Sequence, residues 1–172
     1  MFDYIHQIKI ILLFTLLGIT TYLGFQTSKV FITKENFFCD LLHFTKNIKA
    51  EISFMKTDII SILNRNQYQS KFGEFLTKYK LLLNDKKQYS KEKITNIIND
   101  VINLKNNQSE AISQMFFEMG NIGYYEQIER LEYYVEIFKE FYEESRESSL
   151  KMIPLCKKMG ILIGFLVCII LI

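Results

Sequence analysis

Two uncharged apolar runs lie at the ends of the chain, Ile10 to Phe25 and Met159 to Ile172, and they frame a middle crowded with charge. Of the 21 basic and 19 acidic residues, 20 and 18 fall between Gln26 and Lys158. A chain divided this way is poorly suited to one water-soluble core, because its longest apolar stretches need surroundings without water. The middle contains only Gly73, Gly120, Gly123 and Pro154 as turn-forming breakers. Sheet and α/β folds need such residues at their tight turns, so the middle is expected to be helices joined by polar loops. The expected fold is all-α: an antiparallel bundle of about five to six helices, flanked by an N-terminal and a C-terminal transmembrane helix.

The first apolar segment, taken from Ile8 to Phe25, gives a helix of roughly 27 Å, close to the hydrocarbon thickness of a bilayer. A cleaved signal peptide is the alternative. It is disfavoured because Tyr22 to Lys29 lacks a small-x-small cleavage pattern and only Lys9 supplies a basic amino-terminal region. The second run is short, roughly 21 Å, and reaches roughly 27 Å only if it begins at Leu155 and Lys157 and Lys158 snorkel. Expected boundaries are therefore 8–25 and 155–172 for the spans and 26–153 for a cytoplasmic helical domain. Lys29, Lys34, Lys46 and Lys49 follow the first span, and Lys151, Lys157 and Lys158 accompany the second. The positive-inside rule then places the middle in the cytoplasm and both termini outside.

Within the middle, apolar residues recur at helical spacing. Phe38, Leu41, Leu42, Thr45, Ile48, Ile52 and Met55 share one face, and Thr57 with Asp58 suggests the start of a short helix through Leu63. Phe72, Phe75, Leu76, Tyr79 and Leu82 form the next stripe, followed by a polar loop from Asn84 to Ser90. Ile94, Ile97, Ile98 and Val101 give another, with a break expected at Asn106 to Ser109. Ile112, Met115, Phe116 and Met119 precede Gly120, a fitting helix C-terminal glycine. The last helix is the longest, with Ile128, Leu131, Val135, Phe138 and Tyr142 on one face, and Pro154 is expected to kink or interrupt it.

Charge is also segregated along the middle. Lys29 to Lys105 holds 14 basic and 8 acidic residues, whereas Asn106 to Glu147 holds 3 basic and 10 acidic. Solvated faces compensated by antiparallel neighbours account for this most simply. Electrostatic pairing with another protein is the sharper alternative. Nucleic acid is disfavoured as a partner, since the basic half is diluted by carboxylates and holds no recognition motif.

No catalytic constellation is legible, and an enzyme is not expected. No phosphate-binding loop motif occurs. Cys39 and His43 lie one helical turn apart, but no second Cys/His pair completes a four-ligand site, so no metal and no cofactor are expected. Three dispersed cysteines, Cys39, Cys156 and Cys168, fit a reducing compartment and not a disulfide framework. The adjacent Glu143 and Glu144 lie on a solvated helix without the loops or histidine that mark a cleft.

Three short segments resemble the stage III sporulation protein AB family in order and spacing. Glu51-Ile52, Phe54 and Thr57-x-Ile59 are similar to a Thr-Glu-Ile-x-Tyr-x-x-Thr-Pro-Leu stretch, with Asp58 in place of the proline. Met119-Gly120, then Gln127 and Leu131, resemble the Leu-Gly-x-Ser-Asp-x-x-x-Gln segment that opens the family's last long helix. Gly123 replaces its aspartate, and Phe116 an upstream glycine. Met159-Gly160, Gly164 and the closing Ile169-Ile-Leu-Ile172 resemble its Leu-Gly-x-x-x-Gly tail. Glu51, Thr57, Gly120, Gln127, Gly160 and Gly164 are the residues this resemblance singles out as structurally important.

The resemblance implies a scaffold in the export machine between mother cell and forespore, with a domain similar to the helical domain of type II secretion platform proteins. It implies a secretion-type ATPase of the same operon and membrane ring or channel proteins as partners, and the mother-cell membrane around the forespore as location. A docking face is expected on the last helix at Glu129, Glu132, Glu136, Glu140 and Glu143. A membrane-tethered coiled-coil or signalling adaptor unrelated to secretion is the rival. A compact antiparallel bundle favours the platform, and an extended parallel dimer favours the adaptor.

Overall fold

A computed structural model describes the backbone at residues 2–55, 63, 68–84, 89–119 and 124–171, and the side chains at 11–53, 63, 68–83, 89–119 and 126–171. The described residues form five helices and no strand: α1 Phe2–Met55, α2 Lys71–Asn84, α3 Lys91–Val101, α4 Asn106–Glu118 and α5 Tyr124–Leu171. The all-α expectation holds. Leu63 is helical and buried, while Thr57 and Asp58, where a short helix was expected to begin, lie outside the described residues. The chain divides into two compact units, residues 33–145 and residues 1–32 with 146–172.

Residues 33–145 build an aromatic core. On α1 the stripe Phe38, Leu41, Leu42, Thr45, Ile48 and Ile52 is buried, and Phe37 and Phe44 are buried beside it. Adjacent buried residues such as Phe37 and Phe38 mean that α1 is covered over a wider arc than one amphipathic stripe provides. The α1 and α5 parts of this unit run antiparallel. Lys49 meets Glu132 at 3.0 Å, and earlier on α1 but later on α5 the Phe38 and Phe141 rings lie 5.7 Å apart. Four rings gather around Phe116. Phe75 and Tyr79 lie edge-on to it at 4.8 Å, Phe44 stacks at 5.7 Å, and Phe72 is 6.5 Å away.

Several polar groups inside this core find partners, as burial requires. The Tyr79 and Tyr89 hydroxyls both donate to the Phe116 carbonyl at 2.9 Å. Burial pushes both tyrosines above the usual phenol range, Tyr79 far above it. Thr45 donates back to the Leu41 carbonyl at 2.8 Å. Ser70 donates to the Asp40 carboxylate and accepts from the Phe72 backbone at 3.1 Å, fixing the start of α2 against α1. Ser90 caps α3 by accepting from the Lys93 N–H at 3.3 Å.

One boundary differs from the sequence expectation. Asn106 to Ser109 form the first turn of α4, and the break falls instead at Ile102 to Lys105. The turn is polar because its side chains serve as caps and ties. The Lys105 N–H donates to Gln108 Oε1 at 3.2 Å, and Ser109 donates to Asn99 Oδ1 at 3.1 Å. Helix α5 likewise continues through Pro154 without interruption.

Residues 1–32 with 146–172 form an antiparallel helical pair with the opposite burial pattern. Gly24, Ser28, Ser149, Gly160 and Gly164 are buried, whereas Phe14, Ile19, Phe165, Leu166, Ile169 and Ile170 are exposed. Only 11% of the apolar window of each helix is buried within the structure, so neither resembles the core helix of a soluble protein. Both are long and apolar enough to cross a membrane.

Phe116→Ala is expected to lower unfolding free energy by roughly 3–5 kcal/mol, because it empties the point where α1, α2 and α4 meet. Leu81→Ala, at a side chain 67% exposed, is expected to change it by less than about 0.5 kcal/mol. Circular-dichroism melting of the full chain in detergent compares them, and equal losses would contradict this core.

Candidate functional site

The expected docking residues occupy one edge of α5. Glu129, Glu132, Glu136, Glu140 and Glu143 are separated by three or four residues and all are exposed. Leu131, Tyr134 and Phe138 are buried on the opposite side of the same helix. The helix is therefore amphipathic in an unusually acidic sense. Glu132 is engaged by Lys49, yet its side chain remains 67% exposed. Tyr133, 63% exposed, lies within the acidic stripe and packs edge-on to Tyr134 at 5.5 Å.

The other acidic residues of this half are largely used inside the unit. Lys105 pairs with Glu144 at 2.5 Å, Lys91 with Glu110 at 3.3 Å, and Arg130 with Glu118 at 2.8 Å. Compensation between neighbouring helices thus accounts for part of the charge segregation. Burial, followed by repulsion from Lys105, holds the Lys34 ammonium below its ordinary pKa, with Glu144 acting the other way.

Gln127 has an identifiable task. Its Nε2 donates at 3.0 Å to the carbonyl of Met119, directly after α4, and so ties that end to the start of α5. Beside it lies a knot that sequence spacing alone does not reveal. The Glu118 carboxylate accepts from Gln114 Nε2 at 2.6 Å, Arg130 Nη1 at 2.8 Å and the Tyr134 hydroxyl at 3.0 Å. Only Gln114, one turn away, was a legible partner. Burial first, then this carboxylate, raises Tyr134 above the ordinary phenol pKa. The cleft there is about 10 Å³, too small for a ligand, so its chemistry is structural.

Glu51 is half-buried on α1; Thr57 and Gly120 lie outside the described residues. Cys39 is half-buried, and burial followed by nearby Asp40 raises its thiol pKa; His43 is exposed. Among the described residues, no group of three or more metal-ligating side chains occurs.

Gly160 and Gly164 make the seam of the helical pair. A Cβ on Gly160 would stand 2.9 Å from the Thr20 carbonyl and 3.0 Å from Gly24 Cα. One on Gly164 would meet the Thr20 hydroxyl and Leu17. Gly24 is the reciprocal partner, since its Cβ would be 2.7 Å from the Cys156 carbonyl. Such approach is possible only where side chains are missing, as in helix pairs that associate within lipid. Ser149 donates to the Phe31 carbonyl at 3.2 Å, and Cys168 Sγ lies 3.7 Å from the Leu13 carbonyl, extending the seam both ways. Gly18 is different, with open space where its Cβ would be.

Gly160→Ile is expected to separate the two helices, whereas Gly18→Ile is expected to leave them paired. With Cys39 and Cys156 replaced by serine, Leu13→Cys should oxidise efficiently with native Cys168. Free-thiol counting with a maleimide polymer reads this pairing in each variant. Equal oxidation in the Gly160 and Gly18 variants would contradict the seam.

Residues 9–172 match the family model described as stage III sporulation protein AB. No curated protein and no solved structure matches the chain. The match runs from just before the first apolar run to the end of the second, and so includes the aromatic unit, Gln127 and both seam glycines. The chain belongs to the stage III sporulation protein AB family, and its role lies in sporulation.

Proposed function

We propose that this protein is a membrane-anchored platform that docks a cytoplasmic secretion-type ATPase to channel or ring proteins of the export complex between mother cell and forespore. In this reading the glycine-seamed helices cross the mother-cell membrane, with the domain at 26–153 on the cytoplasmic side. The domain does no chemistry itself. Its likeness to type II secretion platform domains is what the family resemblance implies.

The observation that carries the proposal is the exposed acidic edge of α5 behind a fully used apolar edge. Glu129, Glu132, Glu136, Glu140 and Glu143 offer a basic partner a straight, rigid row of carboxylates. Charges of this kind steer association and set specificity, and they weaken as salt rises. The coiled-coil adaptor needs a free apolar stripe for a second chain. Here Leu131, Tyr134 and Phe138 are already buried within the unit, which disfavours it.

Glu→Lys substitution at all five positions is expected to cut ATPase recovery at least tenfold at low salt, while leaving the helical content unchanged. Co-purification with the full chain, at low and high salt, measures this. Equal recovery for wild type and variant under both conditions would remove this face as the docking surface.

A further inference from the structure

We propose that the polar end of the helical pair binds anionic phospholipid headgroups through Lys157 and Lys158. The proposal rests on the membrane placement above, but concerns a different surface from the acidic row. In the described side chains of this unit the only carboxylate is Glu147, and Lys151 takes it at 2.5 Å. That pairing holds Glu147 below the usual carboxylate range. Lys157 and Lys158 therefore bring two positive charges to a part of the unit with no carboxylate to match them.

Their depth identifies the ligand. The Gly24 contact with the Cys156 carbonyl puts Lys157 level with the end of the first apolar run. Its Nζ lies over the Phe25 ring, 5.2 Å from the centroid, and Phe25 is the last residue of that run. Tyr22, on the same stretch of α1, accepts a hydrogen bond from Gln26 at 2.5 Å. An aromatic ring under an ammonium group, at the border of apolar and polar residues, matches the headgroup layer of a bilayer. The anion at that level is a lipid phosphate, and a lipid with net negative charge is favoured over a zwitterionic one by about fivefold for each lysine engaged. Exposed Leu23, Met159 and Leu162 nearby are apolar and, in this placement, meet acyl chains instead of water.

The test uses the full chain. It is first mixed with phosphatidylcholine vesicles and floated on a density gradient; failure to float would overturn the membrane placement and this proposal together. The floating protein is then extracted in nonionic detergent and titrated with dioleoylphosphatidylglycerol, dioleoylphosphatidylcholine or inorganic phosphate, with adducts followed by native mass spectrometry. Phosphatidylglycerol should be retained at least tenfold better than phosphatidylcholine. Inorganic phosphate should not compete for the site. The double variant Lys157→Gln/Lys158→Gln should still float but lose most of the preference. Equal retention of the two lipids, an unchanged preference in the variant, or displacement by inorganic phosphate would each overturn the proposal while leaving the membrane placement intact.

Discussion

The aromatic unit depends on the position of Phe116 near the end of α4. Its ring is fully buried against side chains from α1 and α2, and its carbonyl receives the hydroxyls of Tyr79 and Tyr89. One residue thereby joins apolar packing with the satisfaction of two buried donors, and losing either half of that arrangement costs free energy. The consequence reaches α5. Because Phe116 fixes the end of α4, Glu118 and Met119 are placed to receive Arg130, Tyr134 and Gln127. Those contacts set which edge of α5 turns inward, and so which edge carries its glutamates outward.

The helical pair obeys different physics. In water, large apolar side chains gather inside and small or polar ones remain outside. Here the small residues Gly24, Ser28, Gly160 and Gly164 are inside, while Phe14, Phe165, Ile169 and Ile170 face outward. In the proposed membrane setting, lipid removes the hydrophobic drive for helices to associate, leaving close backbone contact and dispersion to hold them. Glycine permits that contact, which gives the family's tail glycines a physical purpose. Pro154 is also tolerated in α5, despite the lost backbone donor, a feature common in membrane helices.

Much of this was legible in the sequence because periodicity reports directly on burial. Phe72, Phe75, Tyr79, Ile94, Ile98, Ile112 and Phe116 were placed on inward faces by spacing alone, and all are buried. Phe37, Phe44 and Tyr134 escaped, since residues adjacent to a stripe become core only when several helices surround their own. Asn106 to Ser109 resembled a loop in composition, but Gln108 and Ser109 spend their polar atoms on capping and on Asn99. The glutamates of the last helix were legible as an exposed row. Their division into engaged and open charges was not, because Lys49 reaches Glu132 across 83 residues of sequence. Glu118 was illegible for the same reason: two of its three partners arrive from another helix.

The central proposal is a membrane hairpin whose charged middle lies in the cytoplasm. Single cysteines at Lys139, within the middle, and at Asp3, before the first apolar run, test it most directly in a background without Cys39, Cys156 and Cys168. A membrane-impermeant maleimide is applied to intact producing cells and then to cells opened by detergent. The account predicts labelling at position 3 in intact cells, and at position 139 only after opening. Labelling at position 139 in intact cells would contradict it.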